Sequence, residues 1–202
     1  MSFMQEFNNR ASPNLSSPRF GAIIETEYDP YAACPWLTPI DLSLISDEDL
    51  NHWSRNSAAN SKGDRFELIV AKITDLELAK KNTRRFDGIQ RTSKKKVQIK
   101  VRASYHNGPV KVGGLHIDDQ TEVDTYFIGV YDDNTGILTT IFIVSRDQML
   151  SCIKTYATSG KNTREIALET IKKIAEIKIS LQGERSQWNV IWLYEKPALI
   201  VF

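Results

Sequence analysis

Residues Arg84 to Arg102 read RRFDGIQRTSKKKVQIKVR, and this stretch predicts the centre of the fold. Residue types alternate from Phe86 to Gln90 and again from Val97 to Arg102, on either side of a polar, basic turn. Successive side chains of a strand point to opposite faces of the sheet, so the pattern predicts a β-hairpin. The β-branched residues of its second strand, which are expected to face a core, are Val97, Ile99 and Val101. The polar residues on the opposite face are Gln98, Lys100 and Arg102.

The hairpin also carries a chemically suggestive set of polar groups. The predicted hairpin has Asp87 on its first strand and Gln98 and Lys100 on its second, a combination of a carboxylate, an amide oxygen and an ammonium. Oxygen donors suit a hard divalent cation, and an ammonium stabilises charge that develops on a phosphate. We therefore predict a site for metal-dependent phosphodiester hydrolysis. The structural alternative is a cross-strand ion pair between Asp87 and Lys100, worth up to about 1 kcal/mol.

Length and composition indicate a soluble globular protein. The chain has 202 residues, of which 41% are hydrophobic and 25% charged, which suits one domain with a sizeable core. Residues 1–20 are rich in Asn, Ser and Pro and predict a flexible tail, and residues 21–202 predict a single domain. The chain shows neither an apolar run of about 20 residues nor a secretory signal, so we expect a cytoplasmic protein without a membrane partner. Cys34 and Cys152 stand in unrelated contexts and are expected to be reduced thiols.

Charge is unevenly distributed although the net charge is only +1. Ten basic residues and one acid lie between Lys80 and Arg102, whereas Gly21 to Leu50 holds seven acids and neither Lys nor Arg. A basic block of this density attracts polyanions through counterion release. The alternative is a solvated hairpin tip, but the neighbouring candidate site favours phosphate contact.

The remaining pattern predicts an α/β or α+β domain with a mixed central sheet covered by helices. The most regular helix runs from Lys62 to Lys80, is capped by Ser61 or Asp64, and carries Glu67 in its first turn. Glu67 is then either a capping or dipole-favoured acid or a side chain that points across the sheet at Asp87. The other predicted helices are 46–53 with Ser46 as N-cap, 145–156 with a Ser145–Gln148 capping box, and 162–179. The other predicted strands are 121–131, 136–144 and 188–194, with a DDNTG turn at 132–136.

The order of these elements resembles the PD-(D/E)XK nuclease superfamily, which has the restriction-endonuclease-like fold. The residues that carry the resemblance lie between 63 and 144 and are GDRFE (63–67), FDG (86–88), QIK (98–100) and VDTYFIGVYD (123–132). The sequence departs from the family pattern at two positions. Phe86 stands where a proline usually precedes the aspartate, and Gln98 replaces the acid of the second half-motif.

The resemblance implies a Mg²⁺-dependent DNA endonuclease, with Mn²⁺ as a possible substitute. It implies Asp87, Gln98, Lys100 and Glu67 as catalytic residues, and Asp87, Gln98, Glu67 and the Ile99 carbonyl as metal ligands. The implied partners are double-stranded DNA and a second copy or a different subunit, since pairs of active sites cut two strands. A type II restriction endonuclease or a subunit of one is the first expectation. The alternatives are a Holliday-junction, homing or repair nuclease, and a DNA-binding protein that has lost activity.

Two neighbouring segments are the predicted DNA contacts. The basic hairpin with its adjoining strand is expected to touch phosphates through Arg91, Lys94, Lys95, Lys96 and Arg102. The loop that leaves the catalytic strand is expected to enter a groove, where Asn107 suits an adenine edge and Tyr105 a sugar or base. Ser104 and Lys111, which bound this loop, are also expected to contact DNA. An ordinary glycine-rich connection is the alternative for the loop.

Overall fold

The structure is a computed structural model that describes residues 40–51, 59–80, 86–104, 109–117, 122–152, 157–159 and 163–193. The predicted tail 1–20, Cys34 and the predicted site residues Tyr105 and Asn107 lie outside the described residues. The helices are α1 (Asp47–Asn51), α2 (Ala59–Ile73), α3 (Arg146–Ser151) and α4 (Leu168–Ile174), with 3-10 turns at Leu42–Leu44 and Arg185–Gln187. The strands are β1 (Leu76–Leu78), β2 (Gly88–Gln90), β3 (Lys96–Ser104), β4 (Lys111–Leu115), β5 (Thr125–Asp132), β6 (Leu138–Ser145), β7 (Ala157–Ser159), β8 (Thr163–Ala167), β9 (Ile177–Ser180) and β10 (Asn189–Trp192).

The chain forms a mixed α/β structure around a seven-stranded mixed sheet. Its strand order is β1-β2-β3-β5-β6-β9-β10, and β3 pairs with β5 in parallel while the other neighbours are antiparallel. A smaller antiparallel sheet has the order β4-β8-β7. The predicted mixed central sheet with flanking helices is thereby confirmed.

The central sheet is buried on both faces. Strand β5 is buried almost throughout, as a strand covered on both sides must be. On one face, Phe66 of α2 packs against the backbone at Gly129, next to Phe127 and other members of the first core. On the other face, the small sheet and α4 cover Tyr126 and Ile128. The polar side of β3 therefore points toward the small sheet.

Several local predictions are confirmed. Strands β2 and β3 form the predicted hairpin, with Gly88 opposite Val97. The DDNTG turn is present, and the carboxylate of Asp132 accepts hydrogen bonds from the backbone of Asn134 and Thr135. The short helix near 46–53 is observed as α1, and Ser46 and Asp49 cap its start reciprocally.

The predicted helix 62–80 is wrong at both ends. Helix α2 begins at Ala59, so Ser61 and Asp64 lie inside it rather than at its cap. It ends at Ile73, where the Thr74 hydroxyl donates to the carbonyl of Val70 at 2.7 Å. The chain then turns directly into β1, since pairing with β2 competes with further helix.

The predicted helix 162–179 is wrong. Thr163–Ala167 is strand β8, which lies between β4 and β7, and Ile177–Ser180 is strand β9, which lies between β6 and β10. Only Leu168–Ile174 is helical. The two ends of the apolar pattern contain β-branched residues, which prefer strands, and each end pairs with a different sheet. Strand pairing therefore overrides the helical spacing of the sequence.

The helix predicted for 145–156 is shorter than expected, because α3 ends at Ser151 with Cys152 as its C-cap. Residues 153–156 lie outside the described residues. Ser145 accepts from the Gln148 N–H as predicted, at 3.3 Å. The Ser145 N–H, however, donates to Glu176 from the turn before β9. Within the described parts of the chain, no helix is long and apolar enough to cross a membrane.

Candidate active site

Asp87 lies at the point where the β2–β3 ladder ends. Its N–H donates to the Val97 carbonyl at 2.8 Å, which is the last backbone contact described between the two segments on this edge. Ile99, two residues further along the same edge of β3, donates its N–H to Oδ2 of Asp87 at 2.7 Å. In a longer ladder, a backbone carbonyl would accept from the Ile99 N–H. The Asp87 carboxylate accepts this hydrogen bond instead, and the bond fixes the position of the carboxylate.

Lys100 reaches the same carboxylate from the polar face of β3. Its Nζ lies 3.6 Å from Oδ2 of Asp87, which is an ion-pair distance rather than a hydrogen bond. About a quarter of each side chain is exposed, 26% for Lys100 and 24% for Asp87. The pair is therefore partly desolvated but still open to a ligand from solution.

Gln98 is the third member of the predicted constellation, and its amide is engaged at both ends. Its Oε1 accepts from the His116 N–H at 3.0 Å, and its Nε2 donates to the Gly114 carbonyl at 3.3 Å. The side chain is only 2% exposed. An amide oxygen has two lone pairs, so one acceptor position remains on Gln98 for a cation.

The backbone of Ile99 supplies a further oxygen. The N–H and C=O of one strand residue point to the same edge, so its carbonyl faces the side on which Asp87 lies. The contacts described for the Asp87 carboxylate both involve Oδ2, which leaves Oδ1 as an oxygen ligand for a cation. Among the described residues there is no group of three or more His, Cys, Asp or Glu side chains that could hold a metal ion. A cation here would depend on amide and carbonyl oxygens beside one or two carboxylates.

Glu67 is the ninth residue of α2, because the helix begins at Ala59. The interpretation of Glu67 as a capping or helix-start acid is therefore wrong, since dipole effects are confined to the first turn. The residue is half-buried, between the fully buried Phe66 and the exposed Leu68.

The contacts of α2 with α1 indicate which way Glu67 points. Lys72 forms an ion pair with Asp49 of α1 at 2.7 Å, and Asp47 of α1 pairs with Arg185 beside β10. Side chains five residues apart on a helix point about 140° apart. Lys72 therefore faces the β10 end of the sheet, and Glu67 lies on the opposite flank of α2.

The predicted phosphate-binding cations of the hairpin are mostly paired within the chain. Arg91 lies 3.3 Å from Asp75, and Lys95 lies 3.6 Å from Asp124. Lys96 pairs with Glu122 and also lies over the ring of Phe86. Lys94 is exposed, with a positive φ of 57°. Exposed ion pairs contribute about 0–1 kcal/mol, so these cations can exchange a carboxylate for a phosphate at little cost.

The cations lie on both sides of the Asp87–Lys100 pair along β3. Lys96 is four residues before Lys100, about 13 Å along a strand. In the other direction, the Arg102 guanidinium donates to the Lys111 carbonyl at 3.3 Å, and the Ser104 hydroxyl donates to the Tyr131 carbonyl at 3.3 Å. Lys111 itself lies 3.5 Å from Glu165 of β8.

Sequence reasoning did not identify Gly114 and Tyr126 as neighbours of the site. The sequence predicts a loop from Ser104 to Lys111 and no strand directly after it, but Lys111–Leu115 is strand β4, which lies over the polar face of β3. The Gly113-Gly114 pair was the available signal, because glycine inside an alternating segment often marks a bulge.

No protein-family model matches this chain, and comparison with curated protein sequences also gives no match. A function must therefore be inferred from the geometry of the site itself.

Proposed function

We propose that this chain is a Mg²⁺-dependent DNA endonuclease with a restriction-endonuclease-like fold. The observation that carries the proposal is the meeting of Asp87 and Lys100 at the end of the β2–β3 ladder, with 3.6 Å between carboxylate and ammonium. A carboxylate held by a backbone N–H beside a partly exposed lysine combines a cation ligand with a group that stabilises developing negative charge.

The donor set fits a hard divalent cation. Asp87 Oδ1, the Ile99 carbonyl and the remaining lone pair of Gln98 are oxygen ligands on β3 and on the residue that precedes β2. Mg²⁺ prefers such oxygen ligands and usually retains several waters. When bound, the ion supplies Lewis-acid polarisation of the phosphate and a more acidic water.

The roles of the side chains follow from their contacts. The Ile99 N–H orients the Asp87 carboxylate, and strand β3, which carries Ile99, is itself held in the sheet by pairing with β5. Lys100 donates to a phosphate oxygen or to the attacking water, and its charge opposes the negative charge that accumulates at the phosphorus centre. Glu67 contributes a second carboxylate, directly or through water.

A type II restriction endonuclease, or a subunit of one, is the first choice within this class, acting as a dimer on double-stranded DNA. Holliday-junction, homing and repair nucleases of the same fold are the alternatives. A second candidate, an inactive DNA-binding protein, is favoured by one observation. Gln98 carries no charge and its amide is already bonded to Gly114 and His116, so the site holds a cation more weakly than it would with an acid at this position.

Plasmid cleavage in Mg²⁺, in Mn²⁺ and in excess chelator tests the proposal. The wild type should cleave only with metal, and Asp87→Asn and Lys100→Met should each lower the rate at least about a hundredfold. Lys173→Met, which changes an exposed lysine of α4 outside the site, is the matched control and should leave the rate unchanged. Glu67→Gln should weaken the metal dependence.

Cleavage by Asp87→Asn at the wild-type rate would overturn the assignment. Metal-independent binding of duplex DNA without any cleavage would instead support the second candidate.

A further inference from the structure

Strand β4 contains a bulge beside the candidate site. Val112 pairs with Ile166 and Leu115 pairs with Arg164, so Gly113 and Gly114 together face a single residue of β8. Gly114 is exposed and has a φ of +72°, a conformation that side-chain-bearing residues rarely adopt. Bulges of this kind re-aim a strand and are common next to functional sites.

The segment Gly114–His116 is fastened to the central sheet by two buried side chains. Gln98 of β3 binds it at two points, the Gly114 carbonyl and the His116 N–H. The hydroxyl of the fully buried Tyr126 of β5 donates to the His116 carbonyl at 2.6 Å. Leu115 is fully buried in the second core and anchors the segment between these bonds.

Gly114 lies directly against the proposed catalytic lysine. A Cβ at this position would stand 3.8 Å from Cε of Lys100, next to the ammonium that pairs with Asp87. A longer side chain would therefore cover the route from solvent to that ammonium. Gly113 differs in direction, because a Cβ there would lie 3.5 Å from the carboxylate of Glu165 and 3.7 Å from the guanidinium of Arg102, both ordinary contacts.

We propose that Gln98 is a positioning residue, whose amide fastens the segment Gly114–His116 to the catalytic strand. The fastened segment forms the wall of the cleft along which a phosphodiester backbone reaches Lys100. This inference rests on the proposed function and refines it. It gives a physical reason for a glutamine at this position, since a carboxylate has no hydrogen to donate to the Gly114 carbonyl and would repel it.

Substitution of Gln98 separates the positioning role from simple metal ligation. Gln98→Met removes both hydrogen bonds and should accelerate amide exchange of His116 at least about tenfold, the equivalent of one hydrogen bond of about 1.4 kcal/mol. Gln98→Glu should lower kcat/KM for plasmid cleavage by at least about tenfold for the same reason. If Gln98 served only as a ligand, the added charge would instead raise Mg²⁺ affinity and activity.

Substitution of Gly114 tests whether the segment Gly114–His116 forms the wall of the cleft. Gly114→Asn retains the positive φ, which asparagine tolerates, but places a side chain over Lys100. It should raise KM and weaken binding of a fluorescent pool of random-sequence duplexes in Ca²⁺ by about tenfold. The control Gly113→Ala, which points away from Lys100, should change either quantity by less than about threefold. Thermal melts identify variants that fail to fold. If Gly114→Asn does not fold, the amide exchange and the cleavage rates of the Gln98 variants test the inference instead.

Each part of the inference has its own refuting result. Unchanged exchange of His116 in Gln98→Met, or Gln98→Glu activity at or above the wild type, overturns the positioning role. Equal KM and duplex affinity in Gly114→Asn and Gly113→Ala overturn the wall. A wild type that neither cleaves nor binds DNA refutes the proposed function and the wall with it, whereas the exchange experiment still decides the fastening by Gln98.

Discussion

Gly129 of β5 is the point where α2 meets the central sheet, and replacing it with alanine should destabilise the protein through Phe66. A Cβ at Gly129 would lie 2.6, 2.7 and 3.0 Å from three ring carbons of Phe66. The ring is fully buried, so relief requires the ring or the whole helix to move by about 1 Å in a close-packed core. Overpacking of this size costs about 1–3 kcal/mol, and the intrinsic advantage of alanine over glycine in a strand returns about 0.5–1 kcal/mol. We expect a net loss of about 1–2 kcal/mol.

Urea denaturation followed by circular dichroism measures this loss, and a double-mutant cycle isolates its cause. In a Phe66→Leu background, which frees space at the ring, Gly129→Ala should cost about zero, which gives a coupling energy of about 1–2 kcal/mol. Gly63→Ala on the same helix, where a Cβ meets nothing within 4 Å, is the matched control and should stabilise by about 0.5–1 kcal/mol. A Gly129→Ala variant as stable as the wild type, or a coupling energy below about 0.5 kcal/mol, would refute the packing of Phe66 on β5.

Three further predictions concern the site and its surroundings. Asp87→Ala should be less stable than Asp87→Asn by about 1–2 kcal/mol in urea denaturation, because only asparagine retains an acceptor for the Ile99 N–H; equal stabilities would show that this bond is dispensable. Replacing Lys94 to Lys96 with glutamine should weaken binding to all duplex sequences alike and lower the slope of log K for DNA binding against log salt concentration by about one to three. The smaller value is expected because Lys95 and Lys96 are paired with acids. An unchanged slope would place DNA on another face. Burial raises the pKa of the Glu176 carboxyl, partly opposed by its hydrogen bonds from Ser145, so the folded state binds this proton more tightly than the unfolded state. The protonated carboxyl therefore contributes stability below its ordinary pKa, and this contribution is lost as the pH rises through the raised pKa. Because glutamine does not titrate, the free energy of unfolding of Glu176→Gln should increase relative to that of the wild type across this pH window. Parallel curves of unfolding free energy against pH would contradict this.

The candidate site was predictable to the extent that it depends on local alternation. Period-two patterning placed Asp87 and Lys100 on adjacent strands, and the observed 3.6 Å contact follows from that register. The surroundings of Gln98 were not predictable, because its partner His116 lies 18 residues away, directly after a strand of a different sheet. The metal, the DNA and the roles assigned to these residues stay predictions.

The helical prediction for 162–179 failed for a related reason. The spacing of Ala167, Ile171, Ile174 and Ile177 is that of one helical face, and Ile171 and Ile177 are fully buried. They are buried in different places, however, since Ile171 lies in the second core and Ile177 lies in the first. Residue spacing shows that a side chain is buried but not against which partner.

The sequence by itself therefore determined the elements whose signals are local: the hairpin with its polar and apolar faces, the DDNTG turn, and the Ser46 and Ser145 caps. Hydrogen bonds and alternation within a few residues specify these features regardless of the rest of the chain. Tertiary structure decided where α2 stops, how residues 163–180 divide between two sheets, and which groups occupy the amide of Gln98. Those outcomes depend on strand pairing between distant segments, where long-range burial outweighs the small differences in local propensity.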